Sequence, residues 1–314
     1  SLADVTFGEN SQLTSIESYA FYGCSSLADV TFGENSQLTS IGSSAFSGCS
    51  SLSSIEIPSG VTSIGYDAFF RCSSLASVIF EENSQLISIA NEAFRDCSSL
   101  TSIEIPDGVA SIGDYSFYSC DALENVTIPS SVTSIGYQAF AYSPIKNFRC
   151  YAENVPQTDS QAFGYNSSMI VYVPEASIES YEMAIPWFNY IIMAIPTHSI
   201  DAVANPEIAG DVSGTGIYMD GLSATLNATP NFGYLFENWT ENGEIVSTSA
   251  EYTFKVLEDK SLVANFFDAQ SVLISINIEE SGVVTGVGTY NSGDTVTVTA
   301  TANEGYEFVN WTED

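Results

Sequence analysis

Leu52-Ser-Ser-Ile-Glu-Ile-Pro-Ser-Gly-Val-Thr-Ser-Ile-Gly-Tyr-Asp-Ala-Phe-Phe-Arg-Cys-Ser-Ser74 is one copy of a phrase that recurs from the start of the chain to about residue 168. Copies begin at Leu2, Leu27, Leu52, Leu75, Leu100, Leu123 and, weakly, Ile145, at spacings of 25, 25, 23, 25, 23 and 22 residues. Self-similarity at such a period means stacked coils of a solenoid. Within a coil, Ile55 and Ile57 alternate with polar residues, the signature of a strand, and Leu52 enters the same interior from the preceding bend. The turn that follows has two lengths. Pro58-Ser-Gly60, Pro106-Asp-Gly108 and Pro129-Ser-Ser131 are short, whereas Gly8–Ser11, Gly33–Ser36 and Glu81–Ser84 carry two extra residues. Pro presets the first turn dihedral and Gly tolerates positive φ, so the variation belongs to a surface loop and leaves the core register alone. Val61 and Ile64 turn inward again. Gly65 to Phe69 is too short for an isolated helix and is expected to make one helical or 3₁₀ turn held by packing. No coil can bury its eight apolar residues alone, so stability is a sum over coils and their interfaces.

Composition narrows the function classes. The 314 residues carry 39 acidic against 6 basic side chains, a net charge of −33. No basic stripe for nucleic acid can be assembled, and anionic membrane surfaces are disfavoured in the same way. The richest apolar stretch, Met183 to Pro196, is broken by Pro186 and Asn189, so no direct membrane insertion is expected. The charge reads as solubility. No calcium loop of the D-x-[DN]-x-[DN]-G kind is present, and neither metal nor cofactor is expected.

Cys24, Cys49, Cys72, Cys97 and Cys120 occupy one slot of successive coils. Rungs about 4.8 Å apart fall inside the disulfide window, but parallel Cβ vectors are the wrong geometry for a bridge. A line of thiols cannot converge on zinc either. The expectation is a ladder of buried, reduced thiols, with Cys150 in the strand slot of Ile128. In the sixth coil Tyr142 is read as replacing the ladder cysteine and in the seventh Thr158 as replacing the inward Ile, so a looser stack is expected there.

The unit L-x-x-[VI]-x-[FI]…[LV]-x-S-I-G-x-x-A-F-x-x-C resembles the BspA-like leucine-rich repeat of bacterial surface proteins. Residues 1–168 carry it as about seven coils, and 169–197, from Ile170 through Tyr181 and Trp187 to Ile192, resembles the segment that closes such arrays. After Pro196 a second repeat begins. Residues 199–242 align without a gap to 271–314, sharing G-x-V-x-G-x-G-x-Y-x-x-G and then T-x-x-A-T-x-N-x-G-Y-x-F-x-N-W-T-E. The first copy runs from Gly210 through Tyr234, Phe236 and Trp239 to Glu241; the second runs from Gly282 through Gly293, Tyr306, Phe308 and Trp311 to Glu313. It resembles the divergent InlB-type B-repeat. The expected fold class is therefore a β-rich leucine-rich-repeat solenoid, with short strands and short helical turns, followed by small β-rich B-repeat modules at 198–270 and 271–314. Alternation independently assigns strands to Ala224–Ala228 and Tyr252–Val256. The repeat frames predict a fragment at both ends, with Leu2, Val5, Phe7 and Phe21 partly open to solvent and the second module incomplete.

Two faces qualify as ligand surfaces. Along the strands, Thr6, Thr31, Glu56, Ile79, Glu104, Thr127 and Arg149 point outward. On the G-x-x-A-F-x-x-C side lie Tyr22, Tyr66, Phe70, Tyr115, Tyr118 and Tyr137, aromatics that suit protein interfaces or stacking on sugars, or that simply pack over adjoining coils. His198, the only histidine, falls between the cap and the first B-repeat and reads as a linker residue. No G-x-S-x-G elbow, P-loop or H-E-x-x-H motif accompanies it, so no catalytic residues are assigned and no enzyme is expected. The resemblance implies an exported, surface-displayed adhesion protein, its signal peptide outside this stretch and its partner a host or neighbouring-cell protein. A glycan is the second partner class, and a passive stalk the alternative role.

Overall fold

The computed structural model describes residues 2–272, 276, 279–291 and 295–312. The chain folds as two compact units, Ser1–Ile195 and Pro196–Asp314.

The first unit is the solenoid. Its longer strands, Asp4–Phe7, Asp29–Phe32, Ser54–Ile57, Ser77–Phe80, Ser102–Glu104, Asn125–Ile128 and Asn147–Cys150, lie one per coil, and neighbours within a sheet pair parallel and in register. Ile170–Val173 and Ile191–Ala194 extend the same sheet, so the segment that follows the seventh coil continues the stack rather than merely covering it. The ladder is interrupted after Asp29–Phe32 and after Ser77–Phe80. At both places a long-turn coil precedes a short-turn coil. Turn length thus breaks strand pairing, while the inward residues Val30, Ile55, Val78 and Ile103 stay buried.

A second parallel sheet runs along the other side of each coil. It is built of two-residue strands, Ser15–Ile16, Ser40–Ile41, Ser63–Ile64, Ser88–Ile89, Ser111–Ile112 and Ser134–Ile135, ending in Gln157–Thr158. Each Ile points in and each Ser out, a period of two that is too short to be recognised within one coil.

The expected helical turn is absent. In its place two left-handed residues stand four apart, Asp67 and Arg71, both at φ 56, with matching residues in the adjoining coils. Successive N–H groups aim in two directions. Those of Ala68, Phe70 and Cys72 close on Gly65, Asp67 and Phe69 within the coil, whereas those of Phe69 and Arg71 reach Ala93 and Arg95 of the next coil at 2.8 and 2.9 Å. A helix would spend every bond inside its own coil. Left-handed φ costs about 1–2 kcal/mol for a non-glycine residue, and the bonds between coils offset it.

The core is a set of columns. Phe21, Phe46, Phe69, Phe94, Phe117, Phe140 and Phe163 stack ring on ring, with centroids 5.1–5.8 Å apart. Trp187 closes the column edge-on against Phe163 at 5.2 Å, and Tyr181 meets Trp187 in the same manner. The predicted loosening near the end does not occur: Phe163 and Met169 are buried, and Thr158 still pairs with Ile135.

All six cysteines are free, and five are buried; Cys24 is only half-buried, a departure from the expected ladder. The thiols also do more than fill space. Cys49, Cys72, Cys97 and Cys120 each donate to the carbonyl of the phenylalanine one coil earlier, Phe21, Phe46, Phe69 and Phe94, at 3.2–3.3 Å. In the sixth coil Ser143 makes that bond, to Phe117 at 2.7 Å. Ser143, and not Tyr142, therefore stands in the cysteine slot, and Tyr142 takes the left-handed position of Arg71, with φ 60. Ser143 follows Phe140 by the same three residues that separate Cys72 from Phe69.

In the second unit one sheet orders Gly216–Met219, Thr197–Asn205, Lys260–Val272, Tyr234–Glu241 and Glu244–Ser247, and another orders Gly210–Ser213, Ser223–Pro230 and Glu251–Lys255. Ile200, Ala224, Leu226, Trp239, Val256, Leu262 and Phe266 share their core. His198 is not a linker residue. It sits within the strand Thr197–Asn205, with Nε2 3.2 Å from Asp220 and Nδ1 3.5 Å from Asp259. In the second copy Gly282–Thr285 pairs with Thr299–Ala302, yet Trp311 is 44% exposed where Trp239 is fully buried. Gly293 and Glu313 of that copy lie outside the described residues.

Candidate functional site

The structure separates the two predicted faces. On the strand face, Thr6, Thr31, Glu56, Ile79 and Glu104 are exposed, whereas Thr127 and Arg149 are half-buried. Register pairing places Thr127, Arg149, Tyr172 and Met193 on successive strands, so the column continues past the seventh coil. Its residues are chemically mixed and share no common partner type.

The aromatic face is different, because its rings converge. Tyr115 meets Tyr118 at 5.5 Å and Tyr137 at 5.3 Å, and Tyr118 meets Tyr142 at 5.1 Å, all edge-on. Arg95 links this group to the third coil, where Arg71 covers Phe70. The Arg95 guanidinium lies 5.7 Å from the Phe70 ring, 5.6 Å from Tyr115 and 5.2 Å from Tyr118, and Arg71 covers Phe70 at 4.8 Å. Cation–π contacts of this kind are worth about 0.5–1 kcal/mol at exposed sites. The result is a continuous ridge across four consecutive coils. Tyr66 and Tyr137 are exposed on it, while Phe70, Tyr115 and Tyr118 are half-buried.

A carboxylate network sets the ridge's charge. Glu92 accepts from Arg95 Nη1 at 2.6 Å and from Tyr66 Oη at 2.8 Å. That hydrogen bond is the main reason the Tyr66 phenol rises to about 12, with desolvation adding to it. Burial raises the Asp67 carboxyl, and the neighbouring Glu92 charge reinforces the shift. Asp67 Oδ1 and Arg95 Nε are buried without a hydrogen-bond partner, so polar capacity at the base of the ridge is unused.

Tyr22 does not join this assembly. It packs against Tyr19 at 5.8 Å, and in the second coil the corresponding slots hold the buried serines Ser44 and Ser47. Sequence reasoning missed Arg71, Arg95 and Tyr142. A signal existed in the period: Arg95 occupies the slot of Phe70 and Tyr118, so aligning coils by column would have placed a cation between two rings.

Among the described residues no group of three or more His, Cys, Asp or Glu side chains could hold a metal ion, and no helix is long and apolar enough to cross a membrane.

Family models match almost the whole chain. The BspA type leucine rich repeat region matches residues 1–88 and 87–185 in six copies, and the divergent InlB B-repeat domain matches 200–270 and 272–314. Among solved structures, a leucine-rich repeat protein from Bacteroides ovatus aligns at 24% identity over 61% of this chain and 55% of its own, with a TM-score of 0.41. A leucine-rich repeat protein from T. pallidum aligns at 27% identity over 45% of this chain and 76% of its own, with a TM-score of 0.33. This chain therefore spans little more than half the length of the Bacteroides ovatus protein. No curated protein matches.

Proposed function

Since the chain belongs to the BspA-type leucine-rich repeat family, we propose that it is a non-enzymatic, surface-displayed adhesion protein holding a host or neighbouring-cell protein against its aromatic–arginine ridge. Both matched families are typical of bacterial surface or secreted proteins, and repeats of this kind are typically non-catalytic. Leucine-rich repeats generally mediate protein binding.

The observation that carries the reading is the convergence of Phe70, Tyr115, Tyr118, Tyr137 and Tyr142 with Arg71 and Arg95. Tyr and Arg dominate the energetics of protein interfaces, because each brings a large contact area together with polar atoms. Mutual edge-on packing holds the rings in place before a partner arrives, which lowers the ordering cost of association. The strand face offers no comparable cluster.

The test is solid-phase binding of the purified chain to a panel of extracellular-matrix proteins. Arg71→Ala with Tyr118→Ala is compared with Glu56→Ala combined with Glu104→Ala, after circular dichroism shows both variants folded. Loss of binding in the ridge variant alone supports the reading. Equal binding by the unchanged chain and both variants would move the contact off both faces, and binding by none would favour a passive stalk.

A further inference from the structure

A recess lies on the short-strand sheet. It is shallow and largely open to solvent, with a volume of about 750 Å³, and is lined by Ser111, Asp114, Ser134, Tyr137, Gln157 and Asp159 among others. Its shape follows from the repeat. Ser111, Ser134 and Gln157 face one another on successive rungs in strict register. Two residues further along each of the first two rungs stand Gly113 and Gly136, and then Asp114 and Tyr137. A Cβ at Gly113 would sit 2.5 Å from Asn91 Oδ1, and one at Gly136 would sit 2.4 Å from Asp114 Oδ1. Side chains are therefore excluded from the middle column, and a trough is left between the serines on one side and Asp114 and Tyr137 on the other. On the third rung Asp159 takes the slot of the two glycines.

We propose that this trough binds a neutral, linear, β-linked oligosaccharide. The hydroxyls of Ser111 and Ser134 and the amide of Gln157 carry no hydrogen bond to a described residue, so donors and acceptors stand ready on each rung. Asp114 spends Oδ1 on the Tyr137 N–H at 2.7 Å, and Asp159 spends Oδ1 on the Gln161 N–H at 2.8 Å. Each carboxylate is thus oriented with its second oxygen left for a sugar hydroxyl pair. Tyr137, 40% exposed, supplies a ring on which a pyranose face can stack. Rungs about 4.8 Å apart repeat these groups at close to the advance per sugar of an extended β-linked chain. The lining contains two carboxylates and no Lys, Arg or His, which disfavours uronate and sulfated glycans.

The trough shares Tyr137 with the ridge, but Arg71, Arg95 and Tyr118, on which the protein-binding reading also rests, lie outside its lining. Isothermal titration of the full chain with cellotetraose and with an N-acetylglucosamine tetrasaccharide, against a galacturonate tetramer, tests it. Ser134→Leu fills the trough without touching either arginine, and Gln157→Ala removes one free amide without adding bulk. Binding of a neutral tetrasaccharide, weakened about tenfold or more by Ser134→Leu, retained by Arg71→Ala and absent for galacturonate, is the expected result. No neutral binding at millimolar sugar, undiminished binding by Ser134→Leu, or preference for galacturonate would overturn the proposal. Failure here leaves matrix-protein binding by the ridge as it was.

Discussion

Replacing Phe94 by Ala should cut the solenoid's spine. Phe94 is fully buried and stacks on Phe69 at 5.1 Å and on Phe117 at 5.3 Å. A buried Phe→Ala change costs about 3–5 kcal/mol, and the loss of two stacked pairs at about 0.5–1.5 kcal/mol each places this site toward the top of that range. Phe21 is the internal control. It is half-buried and stacks on Phe46, so Phe21→Ala should cost about half as much. For a unit of this size each kcal/mol moves the thermal midpoint about 2–4 °C. A cost of about 5 kcal/mol therefore predicts a fall of about 10–20 °C for Phe94→Ala, and about half that for Phe21→Ala. Because coils communicate through nearest neighbours, the damage should also be directional. Hydrogen exchange should show residues 27–64 losing protection, while 123–150, anchored by Trp187 and Tyr181, keep theirs. Differential scanning calorimetry reads the midpoints. A midpoint for Phe94→Ala no lower than that for Phe21→Ala would refute the ring column as the spine.

Three further outcomes are expected. Burial raises the Cys49 thiol to about 12 and the Cys150 thiol to about 11 from 9.0, and pushes Cys72, Cys97 and Cys120 the same way. For an acid whose folded pKa exceeds its unfolded value, the contribution is whole below the unfolded value and drains as pH climbs toward the folded one. The thermal midpoint should accordingly fall between about pH 9 and 12, less steeply in Cys72→Ala with Cys97→Ala, and equal slopes would contradict the assignment. Glu81→Ala removes the acceptor of the Ser59 N–H at 2.8 Å and should cost about 1–2 kcal/mol in urea denaturation; no change would mean that the long turns hang free. Amides around Val296–Ala300 should exchange much faster than those around Ala224–Ala228, since Ala224 and Leu226 are fully buried and Ala300 is not. Equal protection would show that the second copy builds its own core.

Much of this architecture was legible in the sequence because each coil repeats the same local chemistry. Ile55, Ile57, Val61, Ile64, Phe69 and Cys72 each announce an inward position, and all are buried. Local pattern failed where direction depends on a neighbouring coil. Gly65 to Cys72 reads like a helical turn from its own spacing, but its backbone bonds alternate between coils, and the left-handed φ at Asp67 and Arg71 follows from that. Ser143, by contrast, was legible in its own coil, since it follows Phe140 as Cys72 follows Phe69, and its bond to Phe117 agrees with that spacing.

The sequence by itself determined the period, the inward columns, the free cysteines and the aromatic residues of one face. Those follow from which side chains tolerate burial and from a repeat that any single coil displays. Only the tertiary structure decided that Arg95 fills the gap between Phe70 and Tyr118, that Tyr22 stands apart, and that glycines at 113 and 136 open a trough. These are relations between residues about one coil apart in sequence and one rung apart in space. Stacking alone brings them together, because hydrogen bonds between coils set the register in which the columns meet.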